Sequence, residues 1–205
     1  KLSRPTTGFE LLLSAAEKER VLHRKQARSA VNSARYTEFI LELSIWRCSD
    51  NWWDSAASSK AIDLSEPVRK FCAKQLKKQN KIVRKKFKKL GKMSEDERHK
   101  LRLSVKKLRY TIDFCANIYL DKQVSIFQKR LNPVQAGLGF LNDVLAAELL
   151  VEKLMGVKSD PATPAWLYTA GIVIGWHRRE AKLTEKKLFK DVNRFLKTYA
   201  FWDRN

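Results

Sequence analysis

The sequence predicts an all-α protein, an antiparallel bundle of long helices. Apolar residues recur at steps of three and four through most of its 205 residues. Seven Gly and five Pro provide few of the breaks that a many-stranded sheet needs. Start and stop signals leave helices of about 25–35 residues, roughly 40–50 Å long, and the short polar breaks between them favour antiparallel neighbours.

The elements follow in order. From Phe9 to about Val31, Leu12, Ala16, Leu22 and Ala30 recur near helical spacing. A second helix is expected from Ser33 to Cys48, with Tyr36, Phe39, Ile40, Leu43 and Trp46 at steps of three and four. The stretch SDNWWDSAASSKAID (49–63) reads as a loop. Ser65 suits the N-cap of a third helix, with Glu66 and Pro67 in its first turn, running to about Leu90 and stopping at Gly91. Ser94 and Glu97 form a capping box for the fourth, and Glu95, Asp96 and Glu97 occupy its positive end. That local role leaves the cations further along undiluted. The fourth helix continues to about Tyr119. The fifth covers roughly 122–155, with a kink expected at Pro133 and an end at Gly156. VKSDPATP (157–164) reads as a loop, and the last helix spans about Ala165 to Tyr199. The expected organisation is one domain over 1–205, with a first helical unit at about 9–90 and a second at 94–202.

Charge narrows the function. With 42 Lys/Arg against 22 Asp/Glu, the net charge is +20. From Arg69 to Arg109 there are 18 Lys/Arg and three acids. A field of that size attracts polyanions: nucleic acid, anionic lipid or condensed phosphate. Cys48, Cys72 and Cys115 show no metal-ligand or disulfide spacing and read as small core residues in a reducing compartment, hence a cytoplasmic location. No run of about 18 consecutive apolar residues suggests a spanning helix. The opening KLSRPTTG has neither Met nor an apolar leader, so the N-terminus reads as processed or trimmed.

The densest cationic segment is RHKLRLSVKKLRY (98–110), with six Lys/Arg, one His and no carboxylate. On a wheel of about 100° per residue with His99 at zero, Arg102, Lys106, Arg109, Tyr110 and Asp113 fall within about 280–20°. Leu101, Val105, Leu108 and Ile112 cluster near 180–240°, the spacing of a buried stripe. Lys100 and Lys107 widen the cationic side. Rungs about 5.4 Å apart suit a linear ligand with repeated oxyanions better than one small anion. Asp113 either holds a basic side chain or is an ordinary surface acid. On the preceding helix, Lys78, Lys81, Lys85, Lys88 and Lys89 lie opposite Leu76, Phe87 and, more loosely, Ile82. They read as a solvated lysine face or as one wall of a shared basic groove.

HKLRLSVKKLRYTIDF (99–114) followed by VQAGLGFLNDVLAA (134–147) resembles the CHAD family signature. His99, Leu101, Arg102, Lys106, Lys107, Leu108, Arg109, Tyr110 and Asp113 match its first part, and Gln135, Leu138, Gly139, Leu141, Asn142 and Asp143 its second. NSARYTEFILEL (32–43), with Arg35, is similar to the family's earlier helix, and GWHRREA (175–181) and the terminal Phe201–Trp202 to its closing one. The resemblance implies two related four-helix units around a basic cavity that binds inorganic polyphosphate, without catalysis, cofactor or metal. It places His99, Arg102, Lys106, Lys107 and Arg109 in the cavity, with Tyr110, Asp113, Gln135, Asn142 and Asp143 in support. Arg35 joins the site through the match to the earlier helix, and Arg28, Lys78, Lys81, Lys85, Arg178 and Arg179 join it on charge and helical placement. No segment matches the family's opening His-x-x-Arg helix, so those helices are expected to be missing, or a partner chain to complete the bundle. Pro133 stands where a polar or basic residue is usual.

His99 reads as a phosphate hydrogen-bond donor, without acids or Cys at ligand spacing or a nucleophile beside it. Three functions compete. The first is a polyphosphate-binding module, recruited to phosphate granules. The second is a nucleic-acid-binding protein, which would need exposed aromatics among the cations. The third, least favoured, is a phosphoanhydride-processing enzyme or accessory domain, which would need carboxylates to hold Mg²⁺.

Overall fold

The structure is a computed structural model that describes residues 6–49, 66–155 and 163–203. Among them are six α-helices and no strand: α1 (Thr6–Val31), α2 (Ala34–Cys48), α3 (Val68–Phe87), α4 (Glu95–Cys115), α5 (Asp121–Met155) and α6 (Thr163–Leu196). Single 3₁₀ turns at Leu90–Lys92, Ala116–Ile118 and Phe201–Asp203 complete the described chain. The loop expected at 49–63, the Ser65 cap, Trp52, Trp53 and Gly156 lie outside the described residues apart from Ser49. The chain divides into two compact units, Lys1–Glu66 with Leu154–Ala170, and Pro67–Lys153 with Gly171–Asn205. These units divide the chain differently from the helical units expected at about 9–90 and 94–202, and α3 falls in the second.

The first unit holds α1 and α2, joined at Asn32–Ser33. Ser33 caps α2, its Oγ accepting from the Tyr36 amide at 3.3 Å. No α2 side chain is buried, although Phe39, Leu41, Leu43, Ile45 and Trp46 are large and apolar. Gly8 lies against the start of α6, where a Cβ would collide with the Thr169 hydroxyl and come within 2.7 Å of the Ala165 carbonyl. Only glycine permits that approach.

The second unit carries the core. The stripe predicted on α4 is its centre: Leu101, Val105, Leu108 and Ile112 are fully buried. Facing them are Leu76, Val83 and Phe87 of α3, Phe127, Leu131, Val134 and Leu138 of α5, and Leu188, Val192 and Phe195 of α6. Ile82 is exposed, contrary to its expected place, because Val83 takes the inward position. An aromatic cluster seals one end. Phe127 meets Phe195, Phe201 and Trp202 edge to face at ring separations of 5.3, 5.6 and 5.2 Å, a favoured aromatic geometry.

Helix ends depart from expectation in instructive ways. α3 begins at Val68 with Pro67 as its cap, and the Pro67 carbonyl accepts from the Lys70 and Phe71 amides at 2.8 and 3.1 Å. It ends at Phe87, and Gly91 sits within the following 3₁₀ turn instead of stopping the helix. Burial of Leu90 draws the chain inward there. α4 ends at Cys115, passing directly into a 3₁₀ turn, and α6 ends at Leu196 before the residues expected to extend it to Tyr199. α5 runs unbroken through Pro133. By length and composition α5 is also the one helix among the described residues apolar enough to cross a bilayer, a property hidden from a test of consecutive apolar residues. Its first half uses that apolarity in the core, through Phe127, Leu131, Val134 and Leu138.

Two polar devices fix the frame. The capping box forms, with the Ser94 amide donating to Glu97 Oε2 at 2.9 Å and the Glu97 amide to Ser94 Oγ at 3.2 Å. Arg84 donates to the carbonyls of Leu196 and Thr198, both at 2.7 Å, and lies 5.5 Å over the Phe195 ring. It thus satisfies carbonyls that the end of α6 leaves open, while burial holds its pKa below the usual guanidinium range. Replacing Ser94 by Ala should cost about 1 kcal/mol and replacing Arg84 by Ala about 2–3 kcal/mol, both measurable by urea denaturation.

Cys72 and Cys115 are buried neighbours, and burial followed by the adjacent Cys72 thiol pushes the Cys115 thiol up to about 12. Cys48 is exposed. Thiol reagents act on thiolate, so the native protein at pH 8 should label rapidly at Cys48 alone. Cys72 and Cys115 should label only once urea unfolds the chain, as peptide mass spectrometry would show.

Candidate functional site

α4 meets α5 along a polar seam beside the core. At one end His99 Nδ1 lies 2.7 Å from Asn142 Oδ1. At the other, Asp113 accepts from Gln128 Nε2 of α5 at 2.9 Å and from Arg109 Nη1 at 3.1 Å. These contacts set the two helices antiparallel and fix their register. Lys106 stands midway between His99 and Asp113, and Gln135 midway between Asn142 and Gln128, so Lys106 and Gln135 share a level. Each step of the seam is a heptad, about 10.5 Å. Asp113 is therefore a holder of basic side chains, one of the two roles left open by the sequence.

The cations along this seam are not neutralised alike. Arg102 and Lys106 are half-buried and have no hydrogen-bond or ion-pair partner among the described residues. Arg109 is steadied by Asp113 and lies 4.6 Å over the Tyr110 ring, yet its buried Nε has no acceptor among the described residues. The Gln135 Oε1 is likewise buried and unpartnered among the described residues. Buried donors and acceptors normally find partners, and these two atoms lie on the same row as the unpaired Arg102 and Lys106. Lys107 is exposed on the outward side of α4, and Asp143 is exposed beside Asn142, off the seam. Gln128 escaped the sequence reading; its heptad spacing from Gln135 and Asn142 was the available signal.

Elsewhere the protein answers its own charge. A groove of about 440 Å³ lies between α3 and α4, with Lys85, Lys86, Lys89 and Lys100 and the acid Glu97 in its walls, and none of the His99–Arg109 stripe. Lys86 Nζ donates there to the Lys100 carbonyl and to Ser104 Oγ, at 3.1 and 2.8 Å. Asp96 binds Lys100 at 2.6 Å, which holds that carboxyl below its ordinary range. The acids at the start of α4 thus do neutralise one of its cations. Lys78 and Lys81 are exposed and do not line this groove. Neither they nor Lys85 reaches the seam, because α3 packs on the Lys100–Ser104 side of α4 while His99 and Asp113 face α5.

A second cleft, about 380 Å³, lies where α4, α5 and α6 meet at the His99 end. Arg178 and Lys182 line it, but Arg178 forks onto Glu148, Nε to Oε1 at 2.7 Å and Nη2 to Oε2 at 3.2 Å. Arg98 pairs with Glu185 at 3.3 Å. Arg178 is therefore not the free cation the sequence suggested, whereas Arg179 is exposed and unpaired among the described residues. Arg28 and Arg35 belong to the first unit, exposed on α1 and α2. Arg28 borders a shallow depression with Arg20, Arg24 and Lys25. No cluster of His, Cys, Asp or Glu among the described residues is arranged to hold a metal ion.

A family model described as CHAD domain matches residues 1–152. The chain belongs to the CHAD domain family. The match covers α1 to nearly the end of α5 and so contains the whole α4–α5 seam. It starts at residue 1, earlier than the resemblance noted near residue 10, and stops before GWHRREA and Phe201–Trp202, whose likeness to the closing helix it does not include. No curated protein matches the chain. CHAD domains are binding domains associated with polyphosphate.

The hydrogen bonds from Arg178 hold the Glu148 carboxyl below its usual value, and Glu148 raises Arg178 in return. A depressed carboxylate stabilises the fold above its unfolded pKa, and that contribution is lost as pH falls through the lower folded value. The Arg178 side chain is exposed, so solvent screening keeps that contribution small. Carboxyl-detected NMR should show Glu148 titrating below an ordinary glutamate, and the Arg178→Gln substitution should move its midpoint upward.

Proposed function

We propose that the second unit is a non-catalytic module that binds inorganic polyphosphate along the α4–α5 seam. The single observation that carries this reading is the pair Arg102 and Lys106, half-buried cations that meet no counter-charge among the described residues. Partial burial without a partner raises the cost of a charge, and an incoming chain of phosphates removes that cost at each rung. His99 and Arg109 extend the row to about 15 Å, one side chain per turn. Guanidinium can grip two phosphate oxygens while ammonium acts as a point charge, so the row combines orientation with attraction. The row's one acid, Asp113, is already occupied by Arg109 and Gln128 and orients the Arg109 guanidinium.

Lys107, Arg179, Lys78, Lys81 and Lys85 contribute long-range attraction, and Arg178 joins only when a phosphate displaces Glu148. A cytoplasmic protein of this kind would associate with polyphosphate granules, and a partner chain would cover the apolar α2 helix. The reading is of a binding module, and it assigns the seam no phosphoanhydride chemistry.

Charge reversal tests the assignment. Arg102→Glu with Lys106→Glu should weaken polyphosphate binding at least roughly a hundredfold, since each charged hydrogen bond contributes about 1.5–3 kcal/mol. Far-ultraviolet circular dichroism should remain that of the parent. Wild-type affinity should fall linearly with salt on a log–log plot, as phosphate contacts require. Undiminished binding by the double variant in a gel shift would remove the seam from the site.

A further inference from the structure

We propose that the outward strip of α4 binds single-stranded nucleic acid by base stacking, a second activity that shares cations with the seam but does not rest on the polyphosphate reading. Three large apolar side chains line that strip. Leu103 and Tyr110 are 49% exposed and Phe114 is 93% exposed. On the wheel that places His99 at zero they fall at about 40°, 20° and 60°, with Lys106 on one flank near 340° and Lys107 on the other near 80°. Tyr110 and Phe114 are one helical turn apart, about 6 Å along the axis. Arg109 lies against the Tyr110 ring at 4.6 Å and steadies it.

Scattered exposed apolar residues are ordinary on protein surfaces. An aligned strip bordered by cations is a different arrangement. Phe114 contributes almost nothing to the core, and its ring pairs with no other ring among the described residues. A polyphosphate chain offers no apolar surface, so these rings stand idle when it binds. Single-stranded nucleic acid alternates what the strip alternates, since every base has a π-face for the rings and every nucleotide a phosphate for the lysines. A duplex hides its base faces, which selects against it. The neighbouring Asp113 does not repel the strand strongly, because Arg109 and Gln128 both bind its carboxylate.

The test uses the full chain, a fluorescein-labelled oligothymidylate, the matching duplex and long-chain polyphosphate. Phe114 is so exposed that Phe114→Ala should leave the fold intact. Stacking of one base contributes about 1–3 kcal/mol, so this variant should bind the oligothymidylate roughly five- to a hundredfold more weakly. Phe114→Trp should restore the affinity, the duplex should bind less tightly than the single strand, and polyphosphate affinity should stay within about twofold. Unchanged oligothymidylate affinity in Phe114→Ala overturns the proposal, as does equal loss for both ligands. A wild-type chain that ignores the oligothymidylate but self-associates through this strip, judged by sedimentation of Phe114→Ala, also overturns it. Failure to bind polyphosphate would sink the seam assignment and leave this result standing.

Discussion

Rotation of α4 about its own axis is the constraint on which the other features depend. Leu101, Val105, Leu108 and Ile112 are fully buried among α3, α5 and α6. Those four side chains allow one rotational setting, since turning the helix by one residue would expose apolar surface at roughly 25 cal/mol per Å². Once the setting is fixed, the positions of the cations are fixed too. Arg102, Lys106 and Arg109 line the side toward α5, while Lys100 faces α3. The core thus aims the charges, and no electrostatic attraction within the chain is needed to gather them.

Within the second unit, cations divide by what answers them. Arg84 closes the end of α6, Lys86 bridges to α4, Lys100 holds Asp96, and Arg98 and Arg178 are engaged by Glu185 and Glu148. These groups are structural or internally neutralised, and their contribution to ligand attraction is reduced accordingly. Arg102 and Lys106 have no such partner among the described residues. A net charge of +20 therefore says less about binding than the location of the few cations left unanswered. Asp113 illustrates the same economy, since one carboxylate both orients Arg109 and ties α4 to α5 through Gln128.

On the two proposals, the two sides of α4 take different ligands. The seam presents cations and polar side chains, which suit oxyanions. The outward strip adds Tyr110 and Phe114 to Lys106 and Lys107, a surface for a polymer with both phosphates and rings. One helix can carry both because three residues of separation shift a side chain around the axis by about 60°. A polyanion on one side would compete with a polymer on the other for Lys106.

What the sequence determined by itself is the periodic part of this protein. Six helices, the Ser94–Glu97 capping box and the α4 core stripe were legible because each rests on residues within a turn or two of one another. The cationic face followed from the same period. Tertiary structure alone decided which charges remain free, because Glu148, Glu185 and Gln128 come from helices whose register no local pattern specifies. It also decided that Val83, not Ile82, enters the core, and that α3 stops at Phe87, where burial of Leu90 outweighs the signal of Gly91. Local periodicity sets which faces a helix has; only packing sets what each face meets.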